Sequence, residues 1–328
     1  MRLVTFLDKD GRQRAGAFID NDQTVVDLAA AYRAAYGEAT EVLTSVLHLI
    51  EGGDDALDLA YETLKGATSD SRMARSAVRL RAPVQPPPQM RDTSSFPLHL
   101  QQSADAGWRM RAHRAPDPEA AYQAMDRSED AAMLKAYDRQ PIYYKCNRFS
   151  VIGTEEDIHW PSFSKWMDFE LEFGFYIKGH ATDVSVDKAR DHIFGYTIFN
   201  DMSARDAQFA EMAGRLGPAK GKDFDTGNVM GPCLVTADEM TDPYSLTMVS
   251  RINGEEWGRG STGDMRWSFE EMIAHVSQSE TLHPGEFIGS GACGNGCGLE
   301  HNKRLSPGDL IELEVEGIGV LRNRLIKP

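Results

Sequence analysis

The chain has 328 residues, of which 41% are hydrophobic and 26% are charged, an ordinary composition for a globular protein. Its formal net charge of −15 argues against a nucleic-acid-binding protein, because binding a phosphate backbone requires clustered Lys and Arg. The sequence has no apolar run near the ~20 residues of a membrane helix, and no apolar signal-peptide core at its start. We therefore expect a cytoplasmic protein that binds neither nucleic acid nor membrane.

The segment 1–85 predicts a small N-terminal α/β domain, because β-prone runs and helical periodicity both occur in it. The predicted elements are strands at residues 1–7, 15–20 and 24–28 and helices at residues 29–36 and 42–65. Three consecutive prolines in the segment 81–90 exclude a helix and mark the connector to the next domain.

The segment 86–328 predicts a second, β-rich domain. Residues 103–140 are rich in Ala and alternating charges, which predicts one or two solvated helices and a lid or insertion at about 92–140. From residue 141 onward, short β-prone runs alternate with Gly, Pro and Asp, which predicts strands with few helices, one of them near Ser268–Ser277. The expected fold class is therefore α+β and β-rich.

Four cysteines occur, at Cys146, Cys233, Cys293 and Cys297. The last two form a Cys-x3-Cys pair, whereas zinc knuckles use Cys-x2-Cys, and no second pair lies at ligand spacing. This pattern predicts reduced thiols that pack in the interior and bind no metal.

Three short motifs carry the residues best suited to chemistry. In the first, Asp168, Glu170 and Glu172 alternate with apolar residues. On a strand the three carboxylates share one face, which is either a solvated outer face or, if buried, a site that needs a cation. The following run FGFYI is apolar on both faces and favours burial.

The second motif, residues 199–206, follows the apolar run HIFGYTIF and contains Asp201 and Arg205. It is either a ligand-binding strand end or an Asx-type turn with a surface ion pair. The third places Lys222 in a Gly-flanked loop, where a lysine is either solvated or, near a metal, able to stabilise an oxyanion.

Taken in order, these motifs resemble the fumarylacetoacetate hydrolase family over roughly residues 91–323. The matching motifs are Glu170-Leu-Glu172, Asn200-Asp201-x-Ser-Ala-Arg-Asp206, Gly221-Lys222-x-Phe and Gly317-Ile-Gly-Val-Leu-Arg-Asn323. The resemblance implies a mixed β-sandwich roll for the second domain and a homodimer. It also implies that Glu170, Glu172 and Asp201 bind Mg²⁺, or Mn²⁺ or Ca²⁺.

The resemblance extends to Asp92-Thr-Ser-Ser-Phe-Pro-Leu-His99, where it implies Asp92 as a fourth metal ligand and His99 as the general base. It also places Lys222 where family members contact the substrate, and near a metal this lysine is expected to stabilise the oxyanion. The residues that it implies for substrate binding are Tyr144, Arg205, Gln208 and Thr226.

Two positions depart from the family pattern. Cys297 stands about where the closest animal members carry a glutamate that pairs with the catalytic histidine, and Met212 replaces a substrate-contacting tyrosine. Glu300 or Glu286 could substitute for the missing glutamate, and the sequence leaves that choice open. Fumarylacetoacetate itself is therefore not the expected substrate.

The expected function is metal-dependent hydrolysis of a C–C bond in a β-diketo acid, such as an acylpyruvate or a fumarylacetoacetate-like compound, through a metal-bound enolate. The alternative is a decarboxylase, hydratase or isomerase that acts on a 2-oxo acid at the same site. A third class, a metal-binding scaffold without activity, is disfavoured because His99 and Lys222 are both present. The expected partner is a small β-dicarbonyl or 2-oxo acid substrate.

Overall fold

The strands carry most of the architecture. A computed structural model describes residues 1–327 of the chain. The strands are, in chain order, β1 Arg2–Leu7, β2 Gln13–Ile19, β3 Thr24–Asp27, β4 Arg72–Ala74, β5 Arg79–Arg81, β6 Met90–Thr93, β7 Tyr143–Lys145, β8 Val151–Ile152, β9 Ile158–His159, β10 Met167–Asp168, β11 Leu171–Ile177, β12 Ile193–Asp201, β13 Ser203–Ala204, β14 Asn228–Thr236, β15 Thr247–Ile252, β16 Glu255–Ser261, β17 Phe287–Gly289, β18 Leu310–Val315 and β19 Gly319–Ile326.

Helices connect these strands and cover part of their surface. They are α1 Leu28–Tyr36, α2 Val46–Lys65, α3 Pro97–Ala112, α4 Pro118–Gln123, α5 Ser128–Arg139, α6 Val186–Ala189, α7 Arg205–Met212, α8 Ala219–Lys222 and α9 Phe269–Val276. Among residues 1–327, no helix combines the length and the apolar character that are needed to cross a bilayer.

One large sheet organises the molecule. Within residues 1–327, twelve strands join in it, with the order β4-β3-β2-β1-β14-β12-β11-β17-β6-β7, while β5 pairs with β1 and β8 with β14. A five-stranded sheet has the order β16-β15-β18-β19-β9, and β10 pairs with β13. Most neighbours are antiparallel, but β17 and β6 run parallel, so the large sheet is mixed. The predicted α+β, β-rich fold class is confirmed.

Apolar side chains cover both faces of this sheet at β11. Phe173 and Phe175 pack on Phe269 of α9, with ring centroids 4.9 and 4.6 Å apart. Tyr176 points to the opposite face and packs on Phe287, at a centroid distance of 5.3 Å. Because successive side chains of a strand alternate between faces, this two-sided cover explains the continuous apolar run in the sequence. A carboxylate on such a strand is removed from water.

The predicted helices are present, with ends that differ by a few residues. α2 begins at Val46 rather than at residue 42, because the Ser45 hydroxyl caps it by accepting the N–H of His48. α9 lies within the predicted segment 268–277, and its start is a capping box formed by Ser268 and Glu271.

The prediction of one or two helices in residues 103–140 is wrong, because α3, α4 and α5 lie there. The physical reason is that α3 ends at Ala112 and a new helix, α4, begins at Pro118. Pro118 occupies the first turn of α4, and the Asp117 side chain caps that turn by accepting the N–H of Ala120.

The N-terminal strands extend the large sheet. β1 pairs antiparallel with β14, where Leu3 lies opposite Leu234. The division at residue 85 therefore crosses a shared sheet and stays a prediction, as does the role of residues 92–140 as a lid.

A buried ion pair lies beside the strand β6. The side chains of Arg91 and Glu286 are 3% and 6% exposed and pair with each other, and Arg91 also donates to Glu280 at 2.5 Å. Replacement of Arg91 by Met is expected to lower the free energy of unfolding by ~3–5 kcal/mol, because Glu286 then stays buried without its counter-charge. Urea unfolding followed by circular dichroism measures this loss.

The matched control is Lys65→Met, which breaks a solvent-exposed pair with Glu62 and should leave the unfolding midpoint almost unchanged. The double variant Arg91→Met, Glu286→Leu should recover part of the loss. An Arg91→Met protein as stable as the Lys65→Met control would contradict the argument.

Candidate active site

Three buried carboxylates converge on the part of the large sheet that runs from β12 to β6. Asp92 lies on β6, Glu172 on β11 and Asp201 at the end of β12, with exposed fractions of 4%, 0% and 0%. One carboxylate oxygen from each lies within 4.8 Å of the other two. The sequence separates Asp92 from the other two residues by a long stretch, so the sheet order is what brings them together.

β17 lies between β6 and β11 and makes this approach possible. Gly289 of β17 pairs with Asp92, and a Cβ atom at Gly289 would lie 2.5 Å from the Asp92 Oδ1 and 3.3 Å from the Glu172 Oε2. Two residues further along the chain, the backbone N–H of Gly291 donates to the Asp92 Oδ1 at 3.2 Å and to the Glu172 Oε2 at 3.1 Å. Only a residue without a side chain fits at Gly289, and the Gly291 amide sets the spacing of the two carboxylates.

The cluster has more negative charge than its protein partners neutralise. The Oε1 of Glu172 and the Oδ1 of Asp201 are buried without a hydrogen-bond partner among the described residues. Burial, reinforced by the neighbouring carboxylates, raises the pKa of Asp92 to about 7 and the pKa of Glu172 well above its ordinary value. Burial also raises the pKa of Asp201 to about 6, although Lys222 opposes it.

These oxygens fit a hard divalent cation. Buried unpaired carboxylate oxygens cost free energy unless a cation or a proton compensates them. The three side chains offer oxygen atoms only, which is the donor type that Mg²⁺, Mn²⁺ and Ca²⁺ prefer.

Glu170 lies next to the cluster but contacts cationic side chains. Its Oε1 accepts from Arg205 Nη1 at 2.8 Å and its Oε2 from Lys222 Nζ at 2.5 Å. Lys222 also donates to Asp201 Oδ2 at 2.6 Å. Burial raises the pKa of Glu170, but Lys222 and Arg205 outweigh it and hold that pKa below its usual range. The role of Glu170 as a metal ligand stays a prediction.

His99 has a carboxylate partner, and it is Glu300. The His99 Nδ1 lies 2.9 Å from Glu300 Oε1, and since a carboxylate only accepts, the Nδ1–H donates. The second oxygen of Glu300 accepts the backbone N–H of Cys297 at 2.9 Å, and this bond fixes the carboxylate. The other candidate, Glu286, pairs with Arg91 instead.

The free nitrogen of His99 faces the acidic cluster. His99 Nε2 lies 3.7 Å from Glu170 Oε1, and Ser103 Oγ lies 3.4 Å from the same nitrogen. Burial lowers the pKa of His99, but Glu300 and Glu170 outweigh it, so the pKa lies above its ordinary value. The arrangement is that of a general base or acid: one ring nitrogen is held by a carboxylate and the other is directed at the site.

Most of the predicted substrate-binding residues lie around the same centre. The Tyr144 hydroxyl donates to Asp201 Oδ2 at 2.6 Å, and the Gln208 side chain accepts from Arg205 at 3.0 Å. Thr226 differs, because its hydroxyl accepts the backbone N–H of His159. None of the hydrogen bonds of Thr226 within residues 1–327 reaches the acidic cluster.

Asp168 organises the site, although the resemblance to the family assigned it no role. It is fully buried, pairs with Arg205 Nη2 at 2.8 Å and accepts the backbone N–H groups of Gly298 and Leu299. It thereby anchors the loop that carries Glu300. The solvated-face interpretation of Asp168, Glu170 and Glu172 is wrong, and the two-sided apolar cover of the adjoining strand was the signal that could have shown this.

The family assignment comes from a comparison with known proteins. The family model described as fumarylacetoacetate (FAA) hydrolase C-terminal matches residues 117–326, more than half of the chain. The chain belongs to the fumarylacetoacetate hydrolase family.

Relatives in this family have different names and activities. The oxaloacetate tautomerase FAHD2A, mitochondrial, of Homo sapiens is 33% identical over 189 residues, which are 57% of this chain and 60% of that protein. The uncharacterized protein MJ1656 of Methanocaldococcus jannaschii is 36% identical over 183 residues, 56% of this chain and 72% of that protein. The chain thus spans about 60% of the length of the tautomerase.

Solved structures of the family share the whole fold. A probable 2-hydroxyhepta-2,4-diene-1,7-dioate isomerase from Mycobacterium abscessus is 25% identical, with a TM-score of 0.71 and coverage of 100% of this chain and 99% of that one. The fumarylacetoacetate hydrolase of Exiguobacterium antarcticum is 24% identical, with a TM-score of 0.73 and full coverage of both chains. Proteins that are named as a hydrolase, a probable isomerase and a tautomerase therefore match this chain in fold or in sequence.

Proposed function

We propose that the protein is a divalent-metal-dependent hydrolase that cleaves a C–C bond in a small 2,4-dioxo acid, such as an acylpyruvate. The observation that carries this proposal is the His99–Glu300 pair, whose free nitrogen faces a centre of buried carboxylates. Hydrolysis needs a base that can take a proton from water, and the pair supplies one.

The carboxylates of Asp92, Glu172 and Asp201 would hold the cation, and Glu170 is the further candidate on the resemblance to the family. When bound, Mg²⁺ or Mn²⁺ supplies Lewis-acid polarisation of the substrate's carbonyl and carboxylate oxygens. Two of these side chains have an unpartnered buried oxygen, which supports the assignment.

His99 moves the proton. Its Nε2 takes a proton from a water molecule while the water oxygen bonds to the substrate carbonyl carbon. Glu300 keeps the Nδ1 protonated and stabilises the imidazolium that forms, because its carboxylate accepts from Nδ1 at 2.9 Å. The C–C bond then breaks, its electron pair stays on the leaving carbon, and that carbon or its enol oxygen receives the proton from His99.

Lys222 lies where negative charge develops. Its buried ammonium is held by Glu170 and Asp201, at 2.5 and 2.6 Å, which leaves its third N–H directed only at the backbone oxygen of Asp201 at a long 3.4 Å. That third donor can turn to the oxygen of the attacked carbonyl.

The second candidate is keto–enol tautomerisation or isomerisation of a 2-oxo acid. It is favoured by the names of the relatives, which include oxaloacetate tautomerases in human and cattle. In that reaction His99 would take a proton from the carbon beside the carbonyl and return it to oxygen, with no attacking water.

A product analysis separates the two reactions. Metal-free protein resupplied with Mg²⁺ or Mn²⁺ is incubated with acylpyruvates and with oxaloacetate, and the products are identified by mass. We expect two carboxylic acids from an acylpyruvate, because water is added across the broken bond. Faster enolisation of oxaloacetate with no cleavage of any acylpyruvate would replace the hydrolase proposal with the tautomerase. Release of CO₂ would indicate a decarboxylase.

We also propose a cytoplasmic homodimer. These expectations come from the sequence, and the name of the human relative places that protein in mitochondria. Light scattering coupled to size exclusion measures the assembly, and a monomer mass would contradict the dimer.

The segment 92–140 is proposed to close over the substrate. No residue of α4 or α5 is buried, so this region has few apolar contacts and a low local cost of opening. With saturating Mg²⁺, addition of oxalate as a substrate mimic is expected to slow amide hydrogen exchange in α4 and α5. The exposed N-terminal turn at residues 8–12 serves as the internal control. Amide exchange in α4 and α5 that is the same with and without oxalate would contradict the lid.

A further inference from the structure

A second group of potential metal ligands lies beside the carboxylate centre. His99, Cys297 and Glu300 each offer one donor atom, and these three atoms lie within 4.8 Å of one another. The donors are an imidazole nitrogen, a thiol sulfur and a carboxylate oxygen. The carboxylate centre, in contrast, offers oxygen alone.

We propose that His99, Cys297 and Glu300 form a zinc-binding site that inactivates the enzyme when Zn²⁺ occupies it. Zn²⁺ favours nitrogen and sulfur ligands, and three protein ligands with one open position is a common zinc arrangement. Mg²⁺ and Ca²⁺ favour oxygen, so the two centres select different metals. The Zn²⁺ binding itself is independent of the reaction, whereas the loss of activity rests on the proposed function.

The ligands are already held in place. Glu300 is fixed through both of its oxygens, by His99 Nδ1 at 2.9 Å and by the backbone N–H of Cys297 at 2.9 Å. Cys297 also forms a backbone bridge with Glu170, next to the strand β11. Because these contacts hold the side chains of His99 and Glu300 and the backbone of Cys297, binding requires only small side-chain movements.

Those movements are within reach of the observed geometry. Zinc–nitrogen and zinc–oxygen distances of ~2.0–2.2 Å in a tetrahedral site place the two ligand atoms a few tenths of an ångström farther apart than the hydrogen-bonded pair. The sulfur of Cys297 must come closer, and it lies within 4.8 Å of one ring nitrogen of His99 and one carboxylate oxygen of Glu300. To bind through Nδ1, the ring gives up its hydrogen bond to Glu300 and its proton moves from Nδ1 to Nε2; otherwise the ring binds through Nε2, which already has a lone pair.

The surrounding charge accommodates the cation. Arg205 is the nearest positive side chain, and it is paired with two carboxylates, Asp168 at 2.8 Å and Glu170 at 2.8 Å. Binding displaces the thiol proton of Cys297 into the buffer and forms a zinc–thiolate bond, with no change of oxidation state. A cavity of about 870 Å³, lined by Glu300, Leu98 and Gln102 among others, lies next to this group, whose own side chains are buried.

Loss of activity follows from the ring nitrogen. A zinc ion on His99 either takes the lone pair of Nε2 or removes Glu300 from Nδ1, and the proposed base requires both. Asp92, Glu172 and Asp201 can keep their own cation. The inhibition would therefore persist at saturating Mg²⁺.

Metal titration of the full chain in saturating Mg²⁺ tests the site. We expect one equivalent of Zn²⁺ to bind and Co²⁺ to give a thiolate-to-metal charge-transfer absorption. Cys297→Ser should lose that absorption and bind Zn²⁺ at least ~10-fold more weakly, since the soft ligand is gone. Cys233→Ser is the matched control, because its buried thiol already donates to the backbone oxygen of Ile318 and a hydroxyl can do the same. It should keep both properties.

Several results would overturn the site: no thiolate absorption in the unaltered protein, or an absorption that survives in Cys297→Ser. If Cys297→Ser does not fold, zinc-edge X-ray absorption of the unaltered protein shows whether the bound zinc ion has a sulfur ligand. A sulfur neighbour at ~2.3 Å supports the site, and a zinc ion with only nitrogen and oxygen neighbours excludes it.

The two proposals can fail separately. Hydrolase activity in a protein that binds no Zn²⁺ would refute the zinc site and leave the function intact. Zinc binding with undiminished turnover would support the metal site, refute the inactivation that we propose for it and contradict the role given to His99.

Discussion

Replacement of His99 by Gln is expected to lower kcat by ~10²–10⁴-fold, because the imidazole directed at the centre is then lost. Glutamine keeps a polar side chain of similar size, so the fold should be retained. Metal binding should also be retained, because Asp92, Glu172 and Asp201 are unchanged. Steady-state kinetics with Mg²⁺ or Mn²⁺, together with a metal titration, measures both properties.

Glu300→Gln gives a graded version of the same test. The amide still accepts from His99 Nδ1 but no longer stabilises the imidazolium, so a smaller loss of kcat is expected. His113→Gln is the matched control, since it makes the same exchange at an exposed position after the same helix. Full activity in His99→Gln would exclude a proton-transfer role for His99, whichever reaction the enzyme performs.

Replacement of Glu172 by Gln is expected to have two effects of opposite sign. Without metal, the variant should be at least as stable as the unaltered protein, because burial and Asp92 raise the pKa of Glu172 and make its ionised form costly. With Mg²⁺ or Mn²⁺, it should bind the cation at least ~100-fold more weakly, because an oxygen ligand has lost its charge. Thermal unfolding with and without metal measures both.

The metal-induced rise in Tm should therefore disappear in Glu172→Gln at a metal concentration that stabilises the unaltered protein by ~2–3 kcal/mol. Glu51→Gln is the matched control, because it makes the same exchange at an exposed residue of α2. It should keep the full rise. A Glu172→Gln protein that metal still stabilises to the same extent would exclude Glu172 as a ligand.

The chemistry-bearing residues of the site could be predicted because they lie in short motifs. Glu170 and Glu172 are separated by one residue, and Asp201 and Arg205 by three, so short spacing along the chain was enough for the prediction. Periodicity located α1 and α9 to within about a residue, since their apolar faces repeat along the chain. The capped starts of α2 and α4 were missed, because a cap depends on one side-chain contact.

The partner of His99 could not be chosen from the sequence. Glu300 lies 201 positions away, and Glu286 was an equal candidate. The two glutamates have different partners because the fold places their backbones differently. Glu286 lies just before β17 and pairs with Arg91. Glu300 lies in the loop anchored by Asp168 and accepts from His99 Nδ1. The Cys-x3-Cys spacing gave no zinc prediction for the same reason, since the other ligands of Cys297 come from a distant helix and from its own loop.

The sequence by itself determined the fold class, the family, helices such as α1 and α9, and the residue types of the site, because periodicity, turn residues and motif spacing are local properties. Only the tertiary structure decided that Asp168, Glu170 and Glu172 are buried, since the same alternation fits a solvated face. It also decided that Glu170 contacts Lys222 and Arg205 while Asp92 joins Glu172 and Asp201. Coulombic and desolvation energies depend on distances through space, and the sheet order sets those distances.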